Sequence, residues 1–222
     1  MTATAERIGS QGRLSERAYD HVRRGILSGD IAVGSVISDG QIADELGMSK
    51  TPVRQALRLL AQEGLLETGP RRQLVVRGVS PEQRAEVLEV REALEGIAVS
   101  HACRSMAIDD IDQLRLNLFR QRRAAEAGDD AAFIELDEEF HLALARGAGL
   151  PTLERLLAQL RGFVRLMRVG TDRREGHLFD VLAEHERILD AVEERNEKTA
   201  LAALSEHLHT SEYRMTQASG PQ

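Results

Sequence analysis

Apolar residues return at helical spacing from Leu14 onward. Leu14, Ala18, Val22, Ile26 and Leu27 line one face of a helix, and Gly29 offers its stop. A short β-prone segment, residues 31–37, leads into Ser38 and Asp39, either of which can cap a brief helix carrying Ile42, Ala43 and Leu46 as far as Gly47. Thr51 is then the expected N-cap of a third helix, with Pro52 at its first position, where a missing amide hydrogen costs nothing. The stripe Val53, Ala56, Leu57 and Leu60 buries one face of that helix and turns Arg54, Gln55 and Arg58 outward. Leu65-Leu66-Glu67-Thr68 and Gln73-Leu74-Val75-Val76 read as two short strands around the basic turn Gly69-Pro70-Arg71-Arg72.

Beyond Ser80 no segment has strand character. Ser80-Pro81-Glu82-Gln83 has the form of a capping box with proline at N1, and helical periodicity follows. Gly, Pro and Asp punctuate the rest near residues 106–109, 128–130, 147–151, 170–176 and 195–197, which predicts six helices. Short connections favour antiparallel neighbours. The expected fold is mainly α: a winged helix-turn-helix in residues 1–78, followed by an all-α antiparallel bundle of about six helices in residues 79–222. No repeat of fixed period points to a solenoid.

Composition sharpens this picture in three ways. Aromatic residues make up only 3% of the chain and Trp is absent, a bias toward helix. The net charge of -7 is uneven: residues 1–78 hold 11 Lys and Arg against 9 Asp and Glu, and the remainder hold 18 against 27. Only the first part has the sign that approaches phosphate. A lone cysteine, Cys103, excludes an intrachain disulfide and fits a reducing compartment, so the cytoplasm is the expected location. There is no apolar leader and no run long enough to cross a bilayer, so no membrane role is expected.

The chemistry of the first part lies in its order. A short helix, a tight glycine turn and a second helix presenting Ser49, Lys50, Thr51 and Arg54 at its start have the layout of a helix-turn-helix, whose second helix enters the major groove. Arg71 and Arg72 at a hairpin tip suit a phosphate backbone or minor groove. Taken singly, Arg54 and Arg58 are more often a solvated helix face, and it is the order of these features that carries the reading. The stretch IADELGMSKTPVRQALRLLAQEGLLE resembles the signature of the GntR family of bacterial regulators over its whole length. The resemblance implies DNA contacts by Ser49, Lys50, Thr51 and Arg54, with Arg71 and Arg72 in the wing. The chain departs from the family pattern at Gly40, where a basic residue is common, and at Gln73, where a glycine is.

In the second part Asp137 and His141 stand four apart on one helix face, and His185 and His207 come from the fifth and sixth predicted helices. A carboxylate and three imidazoles converging in a bundle suit Zn²⁺, Ni²⁺ or another transition metal, although an Asp and a His at this spacing are also a common surface pair. Residues 89–95, 137–141 and 184–191, with His207 downstream, resemble the FCD effector domain of the FadR-like branch, and six helices resemble its vanillate-repressor-like subgroup. That resemblance implies Asp137, His141, His185 and His207 as metal ligands. It also implies Arg91 as the partner of a small carboxylate effector; the plainer alternative pairs Arg91 with Glu92 or Glu95. Gly149-Leu150-Pro151 stands where relatives often carry Asn-Pro.

The expected function is a DNA-binding regulator, not an enzyme, acting as a homodimer on a near-palindromic operator with half-sites about 34 Å apart. Two other readings stay open. The metal is purely structural with no effector, or the four ligands activate water in a hydrolase with Glu138 or Glu184 as base.

Overall fold

The computed structural model describes residues 2–167 and 176–217, with side-chain surroundings for residues 12–160, 162–167 and 176–214. The chain divides into two compact units. One is Met1–Pro81 with Leu160–Gly170; the other is Glu82–Gln159 with Thr171–Gln222.

The first unit opens with helix α1, Thr2–Ser28, whose Ala18, Val22 and Ile26 are fully buried. Strand β1 (Val36–Ile37), helix α2 (Asp39–Leu46), helix α3 (Lys50–Gln62), strand β2 (Leu66–Thr68) and strand β3 (Leu74–Val76) follow. Strand β3 is central, antiparallel to both neighbours, with Val75 opposite Val36 on one side and Glu67 on the other. Only the last two residues of segment 31–37 join this sheet. Before them the Ser35 amide donates to the Ala32 carbonyl, which makes a turn.

The caps explain where α2 and α3 begin. Ser38, in an extended conformation, accepts the Gln41 amide on its hydroxyl at 3.4 Å, and left-handed Gly47 closes α2. The N-cap of α3 is Ser49 rather than Thr51, so Thr51 and Pro52 both fall in the first turn. First-turn amides have no intrahelical acceptor, so a proline is tolerated throughout that turn and does not mark its first position. Val53, Ala56, Leu57 and Leu60 are buried as the stripe predicts, against Ile37, Ile42, Leu65, Leu66 and Val76. Leu166 joins the same core, and buried Arg165 reaches Glu63, whose carboxylate also accepts the Tyr19 hydroxyl.

The second unit is helical throughout its described residues. Its elements are α4 (Pro81–Ser105), α5 (Ile108–Ala127), α6 (Asp130–Gly147), α7 (Pro151–Met167), α8 (His177–Glu193) and α9 (Glu197–Gln217), with α7 from Leu160 onward counted in the first unit. Left-handed Gly128 ends α5, and Asp129 caps α6 by accepting the Ala132 amide at 3.0 Å. The expected break at 170–176 falls largely on residues 168–175, outside the described residues. Helix α5 packs on α6 and α8, and α8 on α9. Phe133, Phe140, Leu114, Leu144, Leu182, Ile188 and Leu189 fill the interior. Burial of each such side chain stabilises the fold by roughly 1.5–3 kcal/mol. Set within this apolar interior is a polar cluster, and helices α4, α5, α6, α8 and α9 all contribute to it.

Candidate functional site

The first candidate site is the start of α3. Ser49, Lys50, Thr51 and Arg54 are all exposed, while Pro52 and Val53 between them are buried. This is what a helix presenting one polar edge and one core edge must do. Arg54 donates from Nε to Asp39 Oδ2 at 2.5 Å, and that hydrogen bond holds the Asp39 carboxyl below the usual carboxylate range. Glycine at position 40 has a visible correlate. A Cβ there would lie 3.4 Å from Lys50 Nζ, so the Lys50 ammonium already borders the space that a basic side chain at 40 would enter.

The wing is tight. The Gly69 amide donates to the Gln73 carbonyl at 2.8 Å, and exposed Arg71 and Arg72 both take left-handed backbone, with φ of 65° and 59°. Left-handed turns favour glycine or asparagine, so both arginines sit in a conformation that costs an L side chain roughly 1–2 kcal/mol. The glycine expected at Gln73 would have served no such purpose, because Gln73 has an ordinary extended φ of -79°.

The second candidate site is the buried cluster. Asp137 and His141 on α6, His185 on α8 and His207 on α9 each offer a ligand atom, and all four atoms lie within 4.8 Å of one another. Every one of these residues is at least nine-tenths buried. His141 Nε2 and His207 Nε2 are 3.3 Å apart, and His185 Nε2 is 3.5 Å from Asp137 Oδ1. The edge of a tetrahedron around zinc with nitrogen or oxygen ligands is about 3.3–3.5 Å, which these two separations match, and the four residues have the donor chemistry of a divalent-ion site.

Each remaining ring nitrogen has a polar neighbour. His141 Nδ1 lies 2.7 Å from Glu95 Oε2, His185 Nδ1 lies 2.9 Å from Gln121 Oε1, and His207 Nδ1 lies 2.9 Å from Glu184 Oε2. For His185 and His207 the acceptor on Nδ1 fixes the tautomer that leaves Nε2 with its lone pair, the arrangement metal-binding imidazoles adopt, whereas His141 Nδ1 is close to Glu95 without hydrogen-bond geometry. Burial lowers the His207 pKa, against the opposing hydrogen bond to Glu184, and so favours the neutral ring that a cation needs. Phe140 stacks on the His185 ring at 4.5 Å and fixes its plane.

Each buried carboxylate of this outer layer has its own arginine. Arg91 donates from Nε to Glu95 Oε1 at 2.7 Å, and Arg214 grips Glu184 with both terminal nitrogens, at 2.5 and 3.2 Å. Burial would raise the Glu95 carboxyl, but the Arg91 guanidinium, with the His141 ring beside it, outweighs burial and holds it at about 2. Burial likewise opposes ionisation of Glu184, and the His207 and Arg214 hydrogen bonds keep its pKa below the ordinary value. Gln121 is anchored too, donating to Asn117 Oδ1 at 2.7 Å.

Arg91 therefore does pair with Glu95, the plainer of the two expectations, yet the pair is buried beside a candidate ligand rather than solvated. Gln121 and Arg214 were not singled out by sequence reasoning, and Glu95 and Glu184 stood in it only as a partner of Arg91 and as a hydrolase base, not as neighbours of the histidines. One signal was available: Asn117 and Gln121 are amides on the otherwise apolar stripe Leu114, Leu118, Ala124 and Ala125 of α5, and polar residues on a core face need partners.

Comparisons with known proteins agree with both halves. Residues 14–76 match the bacterial regulatory proteins of the gntR family, and residues 86–210 match the FCD domain. The chain is 33% identical over 201 residues to an HTH-type transcriptional regulator in an unstable DNA locus of Streptomyces ambofaciens, covering 90% of this chain and 84% of that one. It is 27% identical over 195 residues to the HTH-type transcriptional repressor RspR of Escherichia coli K12, covering 88% and 86%. The solved structure of E. coli McbR/YncC superposes with a TM-score of 0.77 at 23% identity, over 93% of this chain and 99% of that one, a likeness of fold. Among the described residues no helix is long and apolar enough to cross a membrane. These relatives are transcriptional regulators, not enzymes, and Glu184, one of the bases the hydrolase reading would need, is committed to His207 and Arg214. The chain is a transcriptional regulator that belongs to the GntR family of bacterial regulatory proteins and carries an FCD domain.

Proposed function

We propose that this regulator binds its operator under the control of a small carboxylate effector held near a divalent metal in the helical unit. The observation that carries this reading is the buried set of Asp137, His141, His185 and His207, with His185 and His207 each backed by an acceptor on the far nitrogen and His141 lying beside Glu95. Those four residues would hold zinc, nickel or a similar ion, which when bound supplies a fixed positive charge to the bundle interior. Arg91 adds a second cation there. Its Nε is on Glu95, which leaves Nη1 and Nη2 to meet a carboxylate in the paired geometry guanidinium favours.

DNA is contacted by Ser49, Lys50, Thr51 and Arg54 from the start of α3, and by Arg71 and Arg72 from the wing, all exposed and cationic or polar. The protein works as a homodimer in the cytoplasm, on a near-palindromic double-stranded site. The apolar residues Val90 and Ile97, seven apart on α4 and 40% and 48% exposed, supply a surface for self-association. An effector with different affinity for two arrangements of the bundle shifts the balance between them, and only that difference drives the change in operator binding.

A second reading, a structural ion with no effector, draws on the Arg91–Glu95 pair, which gives Arg91 a role without any ligand. Metal analysis of the purified protein, with a thermal-shift screen of small carboxylates before and after chelation, separates the two. Stoichiometric metal and a carboxylate shift that vanishes on chelation are expected. Metal with no carboxylate shift supports the structural ion, and a metal-replete preparation that binds none overturns the site.

A further inference from the structure

Asp39 is the first residue of α2, held there by the Ser38 cap and by the adjacent Gly40 amide, which also lowers its pKa. Its side chain is 29% exposed, whereas the Arg54 side chain that it binds is 61% exposed. The two residues belong to different helices, 15 positions apart. Among the described residues Asp39 is the one hydrogen-bonding partner of Arg54, and it engages Nε only.

That choice of atom matters. An arginine reads guanine with two parallel N–H groups aimed at O6 and N7. With Nε committed to an anchored carboxylate, Nη1 and Nη2 remain as an end-on fork of fixed direction. An untethered arginine at this exposed position would instead spread over many rotamers and settle on whichever phosphate lies nearest, because phosphate attracts it without regard to sequence. The carboxylate also bears on Lys50, whose ammonium is close enough to help hold the Asp39 carboxyl ionised. It thus places one negative charge among the cations of the helix start, which weakens their indiscriminate pull toward the DNA backbone.

From this geometry we infer that Asp39 is a specificity-determining positioning residue: it pre-orients the Arg54 fork toward a base edge and reduces binding to non-operator DNA. The inference rests on the DNA-reading role proposed above for Arg54. It concerns a residue of α2 that needs no contact with the DNA itself.

The test uses the full-length protein and duplexes selected by the wild type from a randomised pool, with affinity measured for a selected and a scrambled duplex at several salt concentrations. Asp39→Asn is expected to lower the ratio of selected to scrambled affinity about three- to tenfold, the scale of ordering one flexible side chain. Part of that loss is expected as tighter binding to scrambled DNA. In an Arg54→Ala background the same substitution is expected to change the ratio by less than about twofold, since Asp39 acts through Arg54. A merely structural role would lower the affinity for both duplexes alike and persist in that background. An unchanged ratio in Asp39→Asn, alongside a large loss in Arg54→Ala, overturns the inference and leaves the reading of Arg54 intact. An unchanged ratio in Arg54→Ala overturns both, as does a wild type that selects no common sequence.

Discussion

The two sites of this regulator use the same residue types under opposite conditions. At the start of α3 Arg54 and Lys50 are exposed, and the one ion pair there, Arg54 with Asp39, is solvated on both sides. In the bundle Arg91 and Glu95 form a pair of the same kind, at 2.7 Å, whose side chains are only 8% and 3% exposed. A solvated pair contributes little to stability, about 0–1 kcal/mol, so its value lies in where it aims a side chain. A buried pair has given up its hydration, so removing one partner strands the other. The surface site tolerates change and loses recognition; the interior site loses the fold.

The largest contrast expected from this difference is in stability. Arg91→Ala should destabilise the protein by about 3–5 kcal/mol, because Glu95 is left buried beside His141. Replacing both partners, Arg91→Met with Glu95→Gln, should lose far less in the same denaturant titration. If the single and double variants unfold together, the pair is not the coupled buried unit described here.

Next in size are the outer partners of the candidate ligands. Glu184→Gln or Gln121→Leu should weaken metal binding about 10–100-fold, read by competition with a chromophoric chelator. Equal affinity in both variants and the wild type would mean that these contacts do not orient the imidazoles. Arg54→Ala should weaken binding to selected DNA by about 1–3 kcal/mol. Its effect on stability should stay within about 0.5 kcal/mol, as for other exposed positions. A melting temperature that fell along with the affinity would contradict the division of labour between the two regions.

The smallest effect is expected in the wing. Arg72→Gly relieves a left-handed φ but adds backbone entropy to the unfolded chain, for a net stabilisation of about 0.5–1 kcal/mol. If Arg72 meets a phosphate, the slope of log affinity against log salt should fall by about one. A more stable variant with an unchanged slope would leave the arginine without a DNA role.

Helical periodicity and turn residues carried most of the architecture. The stripe of α3, the closing glycines Gly47 and Gly128 and the six helices of the second unit follow from spacing and capping chemistry alone. The start of α3 was displaced by two residues, because Ser49 and Thr51 are both good caps and Pro52 fits anywhere in a first turn. The left-handed backbone of Arg71 and Arg72 could not be foreseen either, since arginine carries no preference for that conformation.

In the buried cluster the ligand types were readable, but their surroundings were not. Glu95 and Glu184 stand in charged stretches of sequence that look like solvated helix faces, and only the packing of α4, α8 and α9 turns them inward. Arg214 is 30 residues from the carboxylate it holds, a separation that leaves no local pattern. The end of α7 from Leu160 groups with the winged unit although it continues one helix, because periodicity shows which face is apolar and not which core receives it.

The proposed control runs from the buried Asp137, His141, His185 and His207 site to the winged unit. Its most direct test is the affinity of the metal-loaded protein for a selected duplex, titrated with a panel of small carboxylates and repeated after the metal is removed. At least one carboxylate should shift that affinity by about 5–150-fold in one direction, and the shift should disappear with the metal. The same affinity under every condition, from a protein that binds both metal and DNA, would contradict it.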